Sequence, residues 1–213
     1  AGIAAASAAE NPRPFVIPEL KSWHGGEGRF VPTEDMRIVY PSGDETLERV
    51  ARMLADDCAE MFGFRPAIAA GRGGRGDVSL AVKADKELGD EGYAVAISGK
   101  RVDVKAPTAK GVYWATRTLL QMAEQSDEVR DWPDYAVRGL MIDCGRKFIP
   151  LHFLQDYVKI LAYYKMNTLQ IHLNDNGFKQ YFEDDWNKTY AAFRLESEIY
   201  PDLTARDGSY SKR

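Results

Sequence analysis

Cysteine is scarce in this 213-residue chain: only Cys58 and Cys144 occur, and neither stands in a CxxC pair or beside a histidine. The sequence therefore offers no structural zinc motif and no disulfide framework. The two thiols read as buried small apolar residues, one in a helical segment and one in a strand-like segment. Positive charge is also short. Lys and Arg number 28 against 32 Asp and Glu, which leaves a net charge of -4 and a pI near 5.5. No block of Lys/Arg compensates locally, so neither a nucleic acid nor an anionic lipid surface finds an electrostatic footprint. No apolar run reaches the roughly 18 residues that would span a bilayer. With 45% hydrophobic and 28% charged residues, the composition is that of globular material, enough for one large domain or two small ones.

What is present changes character along the chain. The start, "AGIAAASAAENPRP", is alanine-rich without a basic region; it reads as a remnant of a removed secretion signal or an expression scar, a flexible segment over 1–14. A strand-like "FVIPEL" leads through a loop, "SWHGGEGRF", to a strand at "RIVYPSG". In "DETLERVARMLADDCAEMFGF", Leu47, Val50, Leu54, Cys58, Met61 and Phe62 recur at three- and four-residue steps. That spacing predicts an amphipathic helix with Ser42 or Asp44 as N-cap and Gly63 as stop. "DVSLAVKA", "GYAVAIS" and "RVDVKA" alternate as strands, the last two joined by "GK" as a tight hairpin. "TAKGVYWATRTLLQMAEQ" returns to helical spacing. These elements predict a small α+β domain over 15–126 with helices packed on one sheet face, followed by a charged, proline-bearing linker at 127–135.

From 136 the grammar is strand, helix, strand: "AVRGLMIDC", "LHFLQDYVKILAYYKM", "NTLQIHL". The connection is long enough for a parallel crossover. Phe153, Leu154, Tyr157, Val158, Leu161 and Tyr164 form the apolar stripe of the helix, and both strands are nearly continuously apolar, the pattern of burial on two faces.

Several motifs are weak. Gly71, Gly73 and Gly76 make a literal GxGxxG, but a strand rather than a helix follows, so the dinucleotide reading fails and a loop reading holds. "NKT" at 187–189 is a glycosylation acceptor pattern that arises often by chance. His24 reads as a surface residue, and His152 as a solvated first-turn residue.

The two strand ends are different. Asp143 and Arg146 close the first strand; His172, Asn174 and Asp175 close the second. In parallel α/β folds ligands lie at the carboxyl ends of the strands. A structural reading stands beside the functional one: Asp143 pairs with Arg146 or Lys147 merely to tie down a loop, and His172 is a satisfied core histidine. Two successive strands ending this way on one rim favour a polar ligand site. A guanidinium fork suits vicinal hydroxyls, a carboxylate accepts from further hydroxyls, and Phe178, Tyr181 and Trp186 supply apolar walls. The ligand so inferred is a neutral polyol or sugar more readily than a phosphate.

"RGLMIDCGRKF" followed by "YVKILAYYKMNTLQIHLND" closely resembles the opening of the catalytic barrel in family 20 glycoside hydrolases, the β-N-acetylhexosaminidases, densely over 136–177. "DEGYAVAISGKRVDVKAPTAKGVYWATRTLLQM" is similar to the accessory domain that precedes that barrel. The resemblance implies an α+β accessory domain followed by the start of a (β/α)8 barrel, incomplete in this chain, with 136–213 as its first βα units. It implies that Arg146 binds ring hydroxyls of a terminal sugar, that Asp175 lies in the same pocket, and that His172 supports them; the strand-end reading adds Asp143 and Asn174 as supporting residues. The family's second acid is Asn176 here. The implied mechanism is substrate-assisted and retaining: the 2-acetamido oxygen attacks the anomeric carbon, a glutamic acid protonates the leaving oxygen, and an adjacent aspartate orients the acetamido group. No metal or organic cofactor is implied.

The family's Asp-Glu pair belongs to a motif resembling "HxGGDE", and no such stretch occurs here. A full barrel takes about 250 residues, whereas 134–213 holds 80. The chain is thus expected to be an N-terminal fragment of a hydrolase acting on N-acetylhexosamine-terminated oligosaccharides, inactive alone, without its catalytic residues. An open strand edge predicts a companion C-terminal fragment, non-native association or a disordered tail after about residue 176. The alternative is a noncatalytic carbohydrate-binding or assembly module. Polymeric substrates and the alanine-rich start suggest a secreted or periplasmic protein without membrane insertion.

Overall fold

The structure, a computed structural model, describes residues 11–26, 29–98, 100–122, 127–176, 180, 183–185 and 191–212. It divides into two compact units, 1–134 and 135–213.

The first unit is built on a mixed seven-stranded sheet. Its strands are β1 (Ser22–Gly25), β2 (Arg37–Tyr40), β3 (Ala67–Ala70), β4 (Val78–Val82), β5 (Tyr93–Ser98), β6 (Arg101–Ala106) and β7 (Asp127–Asp131), with helix α1 (Glu45–Phe62) after β2 and α2 (Ala109–Met122) after β6. The spatial order is β1-β7-β5-β6-β4-β2-β3. Alternation builds the core: Val78 and Leu80, Val102 and Val104, Val95 and Ile97, and Val129 come into register across neighbouring strands, and all are buried. Against that layer α1 buries Leu47, Val50, Leu54 and Cys58, and α2 buries Val112, Trp114, Ala115 and Leu120. Leu47, Val50, Leu54 and Cys58 face inward because they fall one helical turn apart, whereas Met61, expected on the same stripe, is 44% exposed at the end of the helix. Of the two expected caps, Asp44 accepts from Leu47 N at 2.9 Å; Gly63 ends the helix in the left-handed region at φ 81°, which a residue without a Cβ adopts at little cost.

Three local expectations change. "FVIPEL" forms no strand, because Pro18 has no N–H to donate and interrupts any ladder; instead Ile17 N donates to Gln121 Oε1 at 2.8 Å and Ile17 O accepts from Gln121 Nε2 at 3.1 Å. The strand comes later, at Ser22–Gly25, within the expected loop. Residues 127–131, expected as linker, form β7 between β1 and β5. Its sequence is charge-rich, yet Val129 is buried and Asp131 turns inward to accept from Tyr93 Oη at 2.6 Å and Lys21 N at 3.2 Å. In the expected flexible start, Asn11 N donates to Gly26 O at 3.0 Å and Arg13 reaches Leu20 O at 3.0 Å, while 1–10 lie outside the described residues.

The second unit opens with β8 (Gly139–Asp143), α3 (Leu151–Tyr163) and β9 (Thr168–His172). β8 and β9 are parallel, in register from Gly139 opposite Thr168 to Asp143 opposite His172. Asn167 sets that register: its Oδ1 accepts from Arg138 N at 2.9 Å, its Nδ2 donates to Ala136 O at 2.8 Å, and its N–H donates to Arg138 O at 2.8 Å. β10 (Asn174–Asn176) then pairs antiparallel with β11 (Ala191–Phe193), and a 3-10 turn spans Pro201–Leu203. Burial on both strand faces is not met in this chain. Met141 is 54% exposed, and Leu140 and Ile171 each 38%, because two strands and one helix cover only part of one face. The helix stripe is likewise half used: Leu154 and Leu161 are buried, while Phe153 and Val158 are exposed.

Candidate functional site

The parallel register fixes the site. Asp143 and His172 are the last residues of their strands and stand opposite each other, so whatever follows each strand emerges on the same rim. After β8 the chain turns tightly: Cys144 N and Gly145 N both donate to His172 O at 2.9 Å, and Asp143 Oδ1 accepts from Arg146 N at 3.0 Å. After β9, a single residue leads into β10, which carries Asn174 and Asp175.

Gly145 is the point of closest approach between the two turns. A Cβ built on it would lie 2.6 Å from Asp175 N and 2.8 Å from Asn174 C, inside ordinary contact distance, so no larger residue fits without displacing backbone. The absence of that carbon lets the next side chain meet β10. Arg146 Nε lies 3.2 Å from Asp175 Oδ2 and 3.6 Å from Asp143 Oδ2. His172 Nε2 lies 3.2 Å from the same Asp175 oxygen. Asp143, Arg146, His172 and Asp175 thus form one cluster. Asn174 is exposed and brings no hydrogen bond to it among the described residues.

The cluster is open to solvent on one side, with the Arg146 side chain 44% exposed and the Asp175 side chain 27%. His172 is 43% exposed, so the reading of it as a core histidine is replaced by one in which it buttresses Asp175. The loop-tying role foreseen for Asp143 is present and coexists with its place in the cluster. Two carboxylates around one guanidinium leave both acceptors and donors facing solvent, an arrangement suited to a ligand rich in hydroxyls. Asp143, His172 and Asp175 place a ligand atom each within 4.8 Å of one another, a spacing that a cation could bridge. Arg146 already supplies positive charge there, and a metal would compete with it. The expected aromatic walls Phe178, Tyr181 and Trp186, the side chain of Asn176 and the 187–189 motif lie outside the described residues.

One participant was not foreseen. Arg194, 1% exposed, donates from Nε to Cys144 O at 2.6 Å and from Nη2 to Gly145 O at 3.0 Å, directly behind the Arg146 turn. Its sequence neighbourhood, "AAFRLE", carries no spacing rule that links it to residue 144. Gly71, Gly73 and Gly76 lie between β3 and β4 as a strand-to-strand loop, and both cysteines are free and buried.

A small mixed-sheet domain is thus followed by a parallel strand pair whose carboxyl-end rim carries the Asp143, Arg146, His172 and Asp175 cluster. Comparison with known proteins identifies the family. Residues 13–143 match the family description "Glycosyl hydrolase family 20, domain 2", and residues 135–213 match "Glycosyl hydrolase family 20, catalytic domain". The chain belongs to glycosyl hydrolase family 20. A beta-N-acetylhexosaminidase of Cellulomonas fimi is 34% identical over 157 residues, covering 69% of this chain and 32% of the relative. A beta-hexosaminidase of Vibrio furnissii is 25% identical over 201 residues, covering 91% and 28%. Among solved structures, the Streptomyces coelicolor GH20 beta-N-acetylhexosaminidase shares the fold with a TM-score of 0.73 at 24% identity, covering 96% of this chain and 43% of that one. The Streptomyces plicatus enzyme in complex with Thio-NAglucal gives 0.72 at 24% identity, covering 97% and 43%. The chain therefore spans about a third of these curated relatives and under half of the solved structures.

Proposed function

We propose that this chain is the N-terminal part of a retaining, substrate-assisted β-N-acetylhexosaminidase that removes terminal N-acetylhexosamine from glycans, with 136–213 forming the first βα units of its (β/α)8 barrel. The observation that carries this is the 3.2 Å approach of Arg146 to Asp175 at the carboxyl ends of two parallel strands. In this reading the Arg146 guanidinium donates to hydroxyls of the terminal sugar. Asp175 accepts from a hydroxyl while holding Arg146 in place, and His172 fixes the rotamer of Asp175. These groups bind and orient; they transfer no proton. The general acid, and the aspartate that aligns the acetamido oxygen for attack on the anomeric carbon, come from an Asp-Glu pair supplied by a longer polypeptide or a companion fragment.

The exposed apolar faces of β8, β9 and α3 support that division, since further barrel elements would cover them. A secreted or periplasmic location is part of this proposal, since an enzyme of this kind would meet polymeric glycans there; among the described residues no helix is long and apolar enough to cross a membrane. Two assays with a chromogenic N-acetyl-β-glucosaminide test the proposal: turnover by the product of the uninterrupted reading frame, and none by 1–213 alone. Absence of turnover by the longer product favours a noncatalytic carbohydrate-binding module, and turnover by 1–213 free of longer chains refutes the division of labour.

A further inference from the structure

Arg194 heads the largest fully buried side chains among the described residues. A buried guanidinium is costly unless its donors are satisfied, and here all five N–H groups have acceptors. Nε donates to Cys144 O at 2.6 Å. Nη2 donates to Gly145 O at 3.0 Å and Asp207 Oδ2 at 3.1 Å. Nη1 donates to Asp207 Oδ1 at 2.5 Å and Gly208 O at 3.0 Å. The guanidinium also lies 5.8 Å from the Phe148 ring centre, within cation-π range.

What Arg194 holds is specific. Two of its acceptors are the carbonyls of the residues immediately before Arg146. The far end of the same loop is held by the same C-terminal segment: Tyr210 Oη donates to Ile149 O at 2.6 Å, and its ring lies 5.2 Å from that of Phe148. Gly208 lies against the face of Phe148 so closely that any Cβ there would overlap the ring. Tyr210 N closes the segment on itself by donating to Arg194 O at 2.6 Å. Meanwhile Arg194 follows β11 directly, and β11 pairs with β10 so that Ala192 stands opposite Asp175. One stretch of chain thus backs both partners of the Arg146–Asp175 pair, β11 behind the carboxylate and Arg194 behind the guanidinium.

Building on the reading of Arg146 as a sugar-binding group, we infer that Arg194 is a positioning residue, a brace that sets the distance between Arg146 and Asp175 without touching the sugar. A guanidinium is required because five convergent acceptors need a planar fork; the ammonium of lysine offers three donors.

The test uses Arg194→Met and Arg194→Lys. In the 1–213 chain, hydrogen exchange read by mass spectrometry is expected to speed up about tenfold or more over 144–149 in R194M, the loss of a charged hydrogen bond at each of two carbonyls. Exchange in α3, in the same unit, stays as in the unsubstituted chain, and R194K falls between. In the longer protein, R194M is expected to raise KM for an aryl N-acetylglucosaminide about tenfold or more with kcat changed less, the mark of lost binding common to ground and transition states. Exchange that rises equally over 144–149 and α3 in both variants, or an unchanged KM in R194M, overturns the positioning role. Unsubstituted longer protein without turnover overturns the proposed function alone; the exchange pattern of the 1–213 chain then decides by itself whether Arg194 braces the 144–149 loop.

Discussion

Gly145→Ala isolates the geometry on which the site depends. The added methyl carbon would start 2.6 Å from Asp175 N and 2.8 Å from Asn174 C, where ordinary contacts begin at 3.4 Å. Both obstacles are backbone atoms, so rotamer changes cannot relieve the clash, and the 144–146 turn must retreat from β10 by about 0.8 Å. Carried to the side chains, that retreat takes the Arg146–Asp175 contact from 3.2 Å to about 4 Å, beyond hydrogen-bond range. Overpacking of this kind costs about 1–3 kcal/mol of stability, to be read as a lower urea midpoint of the 1–213 chain. In the longer protein the lost charged hydrogen bond corresponds to roughly a 10- to 100-fold rise in KM for an aryl N-acetylglucosaminide. The double variant G145A/R146M is expected to be no worse than R146M alone, because both remove one interaction. A G145A protein whose KM stays within about twofold of the unsubstituted one, or a double variant whose effects add in full, would refute the reasoning.

Other consequences concern the first unit. Asp44→Ala removes the cap on Leu47 N and is expected to cost about 1 kcal/mol in urea denaturation; an unchanged midpoint contradicts the capping assignment. Tyr93→Phe removes the buried hydroxyl shared with Thr118 and Asp131 and is expected to cost about 1–3 kcal/mol, with no loss of stability counting against that network. Asp77 is held below the usual carboxylate range, first by its hydrogen bonds from Arg37, with burial opposing and Gly74 N–H assisting. Because the folded value is the lower one, its contribution is full above the unfolded carboxylate pKa of about 3.9 and disappears as pH falls through the folded value. Thermal melts of Asp77→Asn from neutral pH down to about pH 2 should show a shallower acid limb than the unsubstituted chain, and parallel limbs would remove Asp77 from the acid response.

The parts legible in the sequence are those where one local rule decides the outcome. Asp44 and Gly63 bracket α1 because cap chemistry is local. Parallel pairing of β8 with β9 followed from two apolar strands separated by a helix, and the rim followed from the abrupt polarity of Asp143, Arg146, His172 and Asp175. Misreadings arose where tertiary pairing overrides composition. β7 is charged at most positions yet sits inside the sheet through Val129 and the inward Asp131. "FVIPEL" has strand-like residues, but a proline stops its ladder. Asn174 shares a strand with Asp175 without joining the cluster, a consequence of alternation that side-chain type alone does not reveal. Arg194 was out of reach because its partners at 144, 145 and 207 meet only once β11 has paired with β10.

A crystal structure of the longer protein with N-acetylglucosamine bound tests the central claim most directly. The account predicts the Arg146 guanidinium and the Asp175 carboxylate each within hydrogen-bonding distance of ring hydroxyls of one sugar, with Gly145 still against β10. A sugar bound elsewhere, or one that meets neither group, would contradict it.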